Sequence, residues 1–437
     1  MIDQIKFREI ISKKIKLEDS VLEKFINNSV SDLTRIKINI ENLSSYEALD
    51  VLSTLTYFKE FFISKEEWED LVYISLKNIR QGIYDNIFSP YSSFSGICYI
   101  TYIVKNLLLK LPSLSIFSDS LDNLLVENIY KYLSIDKDYK DYIGKDFELI
   151  QGISGTLSYL LNFNENEKFY ELTIKLVDAL IKHSQEKIIF NYKVPGWFYY
   201  PNKYEYELDP TLDSTSSYIN YGISHGMCGP LTVLSLVYAN GFNSSGLIQA
   251  INGIIEEYLK ASYYVNDIIY WPGRISFENY IKMKNIQLSE IGECRMSWCY
   301  GSVGILRSLY ISSLAILNKK IEKFTVDEML KIAQMNISDY MLTSPIVCHG
   351  FAGTAAIMNE MYKDTKNPIF WNRTLELIEY TIESYNLHHN KNYKVDTGDE
   401  INKYDYLVGY TGILQTIYSI LTGIPNGNES RILIAYN

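Results

Sequence analysis

The sequence predicts an all-α fold built from about six repeats of a helical hairpin. Three observations carry that reading. First, a glycine pair followed by an apolar run recurs as "QGISGTLSYLL", "HGMCGPLTVLSLVYA", "YGSVGILRSLYISSLAIL", "HGFAGTAAIMNEMY" and "VGYTGILQTIYSIL"; an earlier copy, "SSFSGICYITYIV", keeps only the second glycine. Second, the second glycines (Gly96, Gly155, Gly229, Gly304, Gly353 and Gly412) recur every ~50–75 residues, room for one hairpin and a variable loop. Third, the segments between the copies show helical periodicity and capping residues.

The amphipathic segments define the surface helix of each hairpin. "SKEEWEDLVYISLKNI" offers a capping box, Ser64 with Glu67, and places Trp68, Leu71, Val72, Leu76 and Ile79 on one face. "TVDEMLKIAQM" repeats the pattern with Thr325 and Glu328, which predicts a helix start there. In "NPIFWNRTLELIEYTI", Asn367 is the N-cap and Pro368 the first helical residue. The glycine-led helices are apolar on most faces, so they belong inside, with the amphipathic helices around them. Such hairpins either stack as an open solenoid or close into an α/α toroid. Two stretches, about 187–222 and 262–293, lack helical period and are rich in aromatics, Pro, Gly and Asp. They predict long loops or small β elements on the face that carries the glycine motifs.

Bulk properties narrow the function classes. By length alone, 437 residues allow about two or three domains. The 38 tyrosines are spread along the whole chain, which fits codon bias and packing better than a dedicated site. A net charge of −11 argues against a general nucleic-acid binder. No apolar run reaches the length of a transmembrane helix. The start, "MIDQIKFREIISKKIKLEDS", interleaves charges with apolar residues, unlike a secretory signal. Five cysteines, odd in number and sparse, suit a reducing cytoplasm with thiols free for metal or chemistry.

Histidine and cysteine fall in register with the repeat. His225 and His349 directly precede the first glycines Gly226 and Gly350; Cys299 and Cys348 stand two residues before Gly301 and Gly350. In a closed toroid, matched repeat positions face one centre. Two cysteines and one or two histidines converging there suit Zn²⁺, and a three-ligand site leaves a position open for substrate. Cys348 and His349 are adjacent, yet both can bind from a turn, where the motif places them. Cys98, Cys228 and Cys294 are read as packing residues, and His183, His388 and His389 as solvated.

"SHGMCG", "RMSWCYGSVG" and "CHGFAGTAA" resemble the signature motifs of the lanthionine synthetase C family, the lanthipeptide cyclases. With the glycine repeats, the resemblance covers residues from about 45 to 425. It implies an α/α toroid of about six to seven hairpins, one domain over residues 1–437, with one central zinc ion. The implied reaction adds cysteine thiols of a dehydrated precursor peptide to dehydroalanine or dehydrobutyrine, forming (methyl)lanthionine thioether rings. The implied zinc ligands are Cys299, Cys348 and His349, with His225 catalytic and unbound. Arg295 and Tyr300 match the family's arginine and tyrosine beside the first zinc cysteine, which implies a catalytic part for both. Where the family carries a catalytic aspartate, this chain has Glu148, with Asp146 two residues back. The length resembles the standalone class I enzymes. Their implied partner is the dehydrated precursor with its leader; a complex with a dehydratase and a peptide transporter would place a cytoplasmic protein at the inner membrane face.

Chemically, zinc would keep the substrate thiol deprotonated and nucleophilic. His225 has the pKa class to protonate the resulting enolate, Glu148 can orient it or take the thiol proton, and Arg295 can stabilise the enolate oxygen or hold a backbone carbonyl. Two other classes compete. A non-cyclising relative would bind glutathione or another thiol at the same zinc. A carbohydrate-active α/α toroid would need two inward carboxylates and no metal, against which the Cys/His register speaks.

Overall fold

In the computed structural model, the residues described are 3–134, 146–163, 166–199, 216–282, 294–389 and 404–435. The glycine pairs act by close approach. A Cβ on Gly155, Gly229, Gly304, Gly353 or Gly412 would meet, at 3.1 Å or closer, the carbonyl oxygen six residues earlier: that of Leu149, Ile223, Trp298, Val347 or Tyr406. The loop before each helix thus folds beneath the helix's first turn. Hydrogen bonds close it, from Ile153 N to Asp146 O (2.8 Å), Met227 N to Asn220 O (3.1 Å) and Phe351 N to Ser344 O (2.9 Å). Gly301 adds a positive φ of 142°, which side chains rarely tolerate. The helices so opened, Ile153–Leu160, Cys228–Ala239, Ser302–Ala315, Phe351–Thr365 and Tyr410–Thr422, are buried on nearly every face.

The chain divides into two compact units. The first comprises Met1–Ser89, Ile100–Ser118 and Ala333–Glu429. In it, Ser45–Tyr57 packs along Lys65–Tyr84, and Phe351–Thr365 along Pro368–His388. Trp68, Leu71, Val72, Leu76 and Ile79 are buried together, as their spacing predicts, each worth about 1.5–3 kcal/mol of transfer free energy. Ser64 caps its helix by accepting from Glu67 N at 3.1 Å, while the Glu67 carboxylate pairs with Lys37 at 2.6 Å. The reciprocal capping box forms at Ser44 and Glu47 instead. Asn367 accepts from Ile369 N at 3.0 Å and Pro368 opens the helix, as expected.

The second unit comprises Pro90–Tyr99, Asp119–Ile332 and Ser430–Asn437. Cys228–Ala239 packs against both Ile153–Leu160 and Ser302–Ala315, with Glu167–Ser184 and Leu247–Ala261 covering them. The Thr325 start is wrong. Its helix runs Lys319–Ala333, and Asn318 accepts from Ile321 N at 3.2 Å. Thr325 is buried mid-helix, its hydroxyl donating to the carbonyls of Ile321 and Glu322.

Both irregular stretches contain the small β elements expected of them; their residues 200–215 and 283–293 lie outside the described set. β1 (Lys187–Ile189) and β2 (Tyr192–Val194) form a hairpin, as do β4 (Tyr263–Val265) and β5 (Ile268–Tyr270). Each turns through two residues at positive φ, Phe190–Asn191 and Asn266–Asp267, as tight hairpins require. β3 (Tyr218–Asn220) pairs antiparallel with β6 (Arg274–Ser276), setting Asn220 opposite Arg274 and stitching the two stretches together. Among the described residues, no helix is long and apolar enough to cross a membrane.

Candidate metal and catalytic site

Glu148 lies in the loop beneath the Ile153–Leu160 helix and is only 1% exposed. Its Oε2 accepts from Ile150 N at 3.1 Å, and its Oε1 accepts from Gln151 N. The same Oε2 lies 2.7 Å from His225 Nδ1. A carboxylate already accepting from two backbone amides accepts from the imidazole as well. The proton therefore sits on Nδ1, and Nε2 is left to exchange one. His225 stands in the turn before Cys228–Ala239 with 45% of its side chain exposed, so this buried acid holds a histidine open to solvent. Asp146, the other candidate acid, is buried on the Tyr91 side of the loop. There burial, and then the Asp146 carboxylate, hold the Tyr91 hydroxyl above its ordinary range.

The turn before Ser302–Ala315 carries Arg295, Cys299 and Tyr300. Ser297 N donates to Arg295 O at 3.0 Å, and the Gly301 Cα lies against the same carbonyl. The Cys299 carbonyl accepts from Ile223 N at 3.0 Å, which ties this turn to the one bearing His225. Arg295 is half-buried; burial pushes the neighbouring Cys294 thiol up, against the smaller effects of a Gly273 backbone hydrogen bond and the Arg295 charge. The Tyr300 ring lies against Gly222, where a Cβ would come within 2.7 Å of it, and against Gly273, where the gap would be 3.5 Å. Its hydroxyl lies 2.9 Å from Asn220 Nδ2 and 3.4 Å from Arg274 Nη2.

Cys299, Cys348 and His349 offer one ligand atom each, all within 4.8 Å of one another. Cys299 and His349 are buried and Cys348 half-buried. Cys348 N donates to Leu407 O at 2.8 Å, fixing the turn that presents the last two. The His349 Nε2 is buried without a hydrogen-bond partner among the described residues. Such a nitrogen costs about 1–3 kcal/mol unless something occupies it. Two thiols and an imidazole nitrogen form a donor set that fits a zinc ion. His225 is outside this cluster, its Nδ1 engaged by Glu148.

The family model for lanthionine synthetase C-like proteins matches residues 51–428. The chain belongs to that family. It is 27% identical over 216 residues to nisin biosynthesis protein NisC of Lactococcus lactis subsp. lactis, a match covering 48% of either chain, so about half the length of that relative. The solved structure of nisin cyclase superposes with a TM-score of 0.75 at 19% identity, over 93% of this chain and 97% of its own. That likeness shows the fold, the α/α toroid that the motif resemblance implied and one of the two arrangements the repeats allowed.

Asn220, Gly222, Gly273 and Arg274 surround Tyr300 and went unnoticed in the sequence, because they lie in the stretches without repeat register. Two histidine assignments are corrected. His183 is buried and stacked on Trp197 with ring centroids 6.3 Å apart. His389 is buried with its Nε2 3.1 Å from Asp32. His183 is on the buried side of its helix and His389 follows the end of Pro368–His388, positions that local polarity did not reveal. Cys98 and Cys228 are packing residues, as expected. Burial pushes both thiols up, Cys228 to about 12, which keeps them protonated and inert.

Proposed function

We propose that this protein is a lanthipeptide cyclase that adds cysteine thiols to dehydroalanine or dehydrobutyrine within one dehydrated precursor peptide. The observation that carries the reading is the Cys299, Cys348 and His349 cluster with its orphaned imidazole nitrogen. Zinc bound there would supply Lewis acidity that keeps a substrate thiol deprotonated and nucleophilic at neutral pH.

The chain's own residues do the rest. In the addition the sulfur forms a bond to the β-carbon, and the C=C electron pair moves toward the carbonyl oxygen, giving an enolate. His225 takes the proton that the thiol loses onto Nε2 and then delivers it to the α-carbon, completing the thioether. Glu148 fixes the tautomer and balances the imidazolium. Arg295 supplies positive charge for the enolate oxygen. The whole chain, residues 1–437, acts as one cytoplasmic cyclase domain. Its partner is the leader-bearing precursor, and it is compatible with a complex of dehydratase and peptide transporter.

The test is incubation of the zinc-loaded protein with a dehydrated precursor, followed by thiol alkylation and mass spectrometry. Cyclisation leaves the peptide mass unchanged and removes alkylatable thiols. Binding of glutathione with no thiol loss from the peptide would favour the non-cyclising reading instead.

A further inference from the structure

Among the described residues, the Tyr300 hydroxyl is held by donors alone. Asn220 Oδ1 accepts from Gly222 N at 2.9 Å, and a backbone N–H can only donate. That contact fixes the amide orientation, so Nδ2 must be the atom 2.9 Å from the Tyr300 hydroxyl. The second neighbour, Arg274 Nη2 at 3.4 Å, also only donates. Both lone pairs of the phenol oxygen are thus engaged, and its O–H proton is left for a third group. The ring packs against the backbone of Gly222 and Gly273.

We infer that Asn220, assisted by Arg274, is a positioning residue that makes Tyr300 a dedicated hydrogen-bond donor to the acyl oxygen of the dehydro residue under attack. The inference rests on the cyclase reading and extends it. Negative charge develops on that oxygen as the carbon–sulfur bond forms, and a preorganised donor stabilises the charge where it appears. The proton is shared with the oxygen and stays on Tyr300, so the delivery to carbon still falls to His225. Asn220 suits the task because it holds both sides of the site. Its backbone carbonyl accepts from Met227 N at 3.1 Å, closing the turn that carries His225. Its pairing opposite Arg274 in the β3–β6 ladder brings both donors to one hydroxyl.

The decisive variant is Asn220→Asp. It keeps an oxygen for Gly222 N but replaces the donor facing Tyr300 with an acceptor, which draws the phenol proton inward. Cyclisation is measured on the zinc-loaded protein with dehydrated precursor. Asn220→Asp and Tyr300→Phe should each lower kcat about 10²-fold, the scale of one oxyanion-hole donor, with KM nearly unchanged. In the Tyr300→Phe background, Asn220→Asp should cost nothing further. Arg274→Met, on an exposed side chain, is the second variant and keeps the test available should Asn220→Asp fold poorly. Its smaller loss should likewise vanish without the hydroxyl. Losses that persist in the Tyr300→Phe background, or variants that match wild type, would overturn the inference. A wild-type protein that consumes no peptide thiols would instead overturn the cyclase reading beneath it.

Discussion

Replacing Glu148 with Gln removes a charge and, in this loop, also a hydrogen bond. Both carboxylate oxygens accept from backbone amides, Oε2 from Ile150 and Oε1 from Gln151. A glutamine has one oxygen, so its NH₂ must face one of those N–H groups, donor against donor. With the side chain only 1% exposed, water cannot relieve the clash. One orphaned buried donor costs about 1–3 kcal/mol, visible as a lower unfolding midpoint. If the NH₂ takes the Oε2 place, it also faces His225 Nδ1, which must then give up its proton and present the wrong tautomer to the peptide. Cyclisation at saturating peptide should fall about 10²-fold or more, the range of general acid–base contributions. Glu148→Asp keeps the charge and should retain more activity than Glu148→Gln. The measurements are a denaturation curve and a thiol-consumption rate on the same preparation. A Gln variant that is destabilised yet cyclises at the wild-type rate would show that Glu148 braces the loop and does nothing for His225.

Three further outcomes follow from the geometry. Gly353→Ala drives a Cβ into the Val347 carbonyl, a backbone atom that cannot step aside, and should cost about 1–3 kcal/mol in a denaturation curve; a neutral result would refute the close-approach account of the glycine pairs. Glu429 is buried, and burial first, then the Glu360 carboxylate, pushes its carboxyl from 4.5 to about 7. The folded form keeps the proton up to about pH 7 while the unfolded chain loses it near 4.5, so this group lowers stability by about 3 kcal/mol as pH rises through that window. Glu429→Gln should therefore raise the unfolding midpoint at pH 8 and leave it nearly unchanged at pH 4; equal gains at both would contradict the assignment. His225→Asn should keep its metal in elemental analysis and lose ring formation, whereas a metal-free variant would make His225 a ligand.

The glycine pairs were legible because only a residue without a Cβ fits under those carbonyls, so the fold writes itself into sequence as a recurring spacing. The same register exposed Cys299, Cys348, His349 and His225, each a fixed step from a glycine. Glu148 was found only through the family pattern, since one acid in a loop carries no periodic signal. Local caps were less secure. Thr325 and Glu328 satisfy the capping pattern, but a threonine within a helix satisfies it equally, and the turn that begins after Asn318 settles the matter. His389 and Asp32 are 357 residues apart, and no local property could pair them. Asn220 and Arg274 meet only because two irregular stretches form one β ladder, a long-range pairing without repeat or spacing to announce it.

The central claim is that peptide thiols are consumed at a metal held by Cys299, Cys348 and His349. It is tested most directly by stripping the protein with a chelator and adding zinc back in known amounts, measuring thiol loss from the dehydrated precursor at each step. Activity should vanish in the stripped protein and return in proportion to zinc, levelling at about one equivalent, as a single three-ligand site requires. Full thiol consumption by metal-free protein, or no gain on zinc addition to a folded chain, would contradict the account.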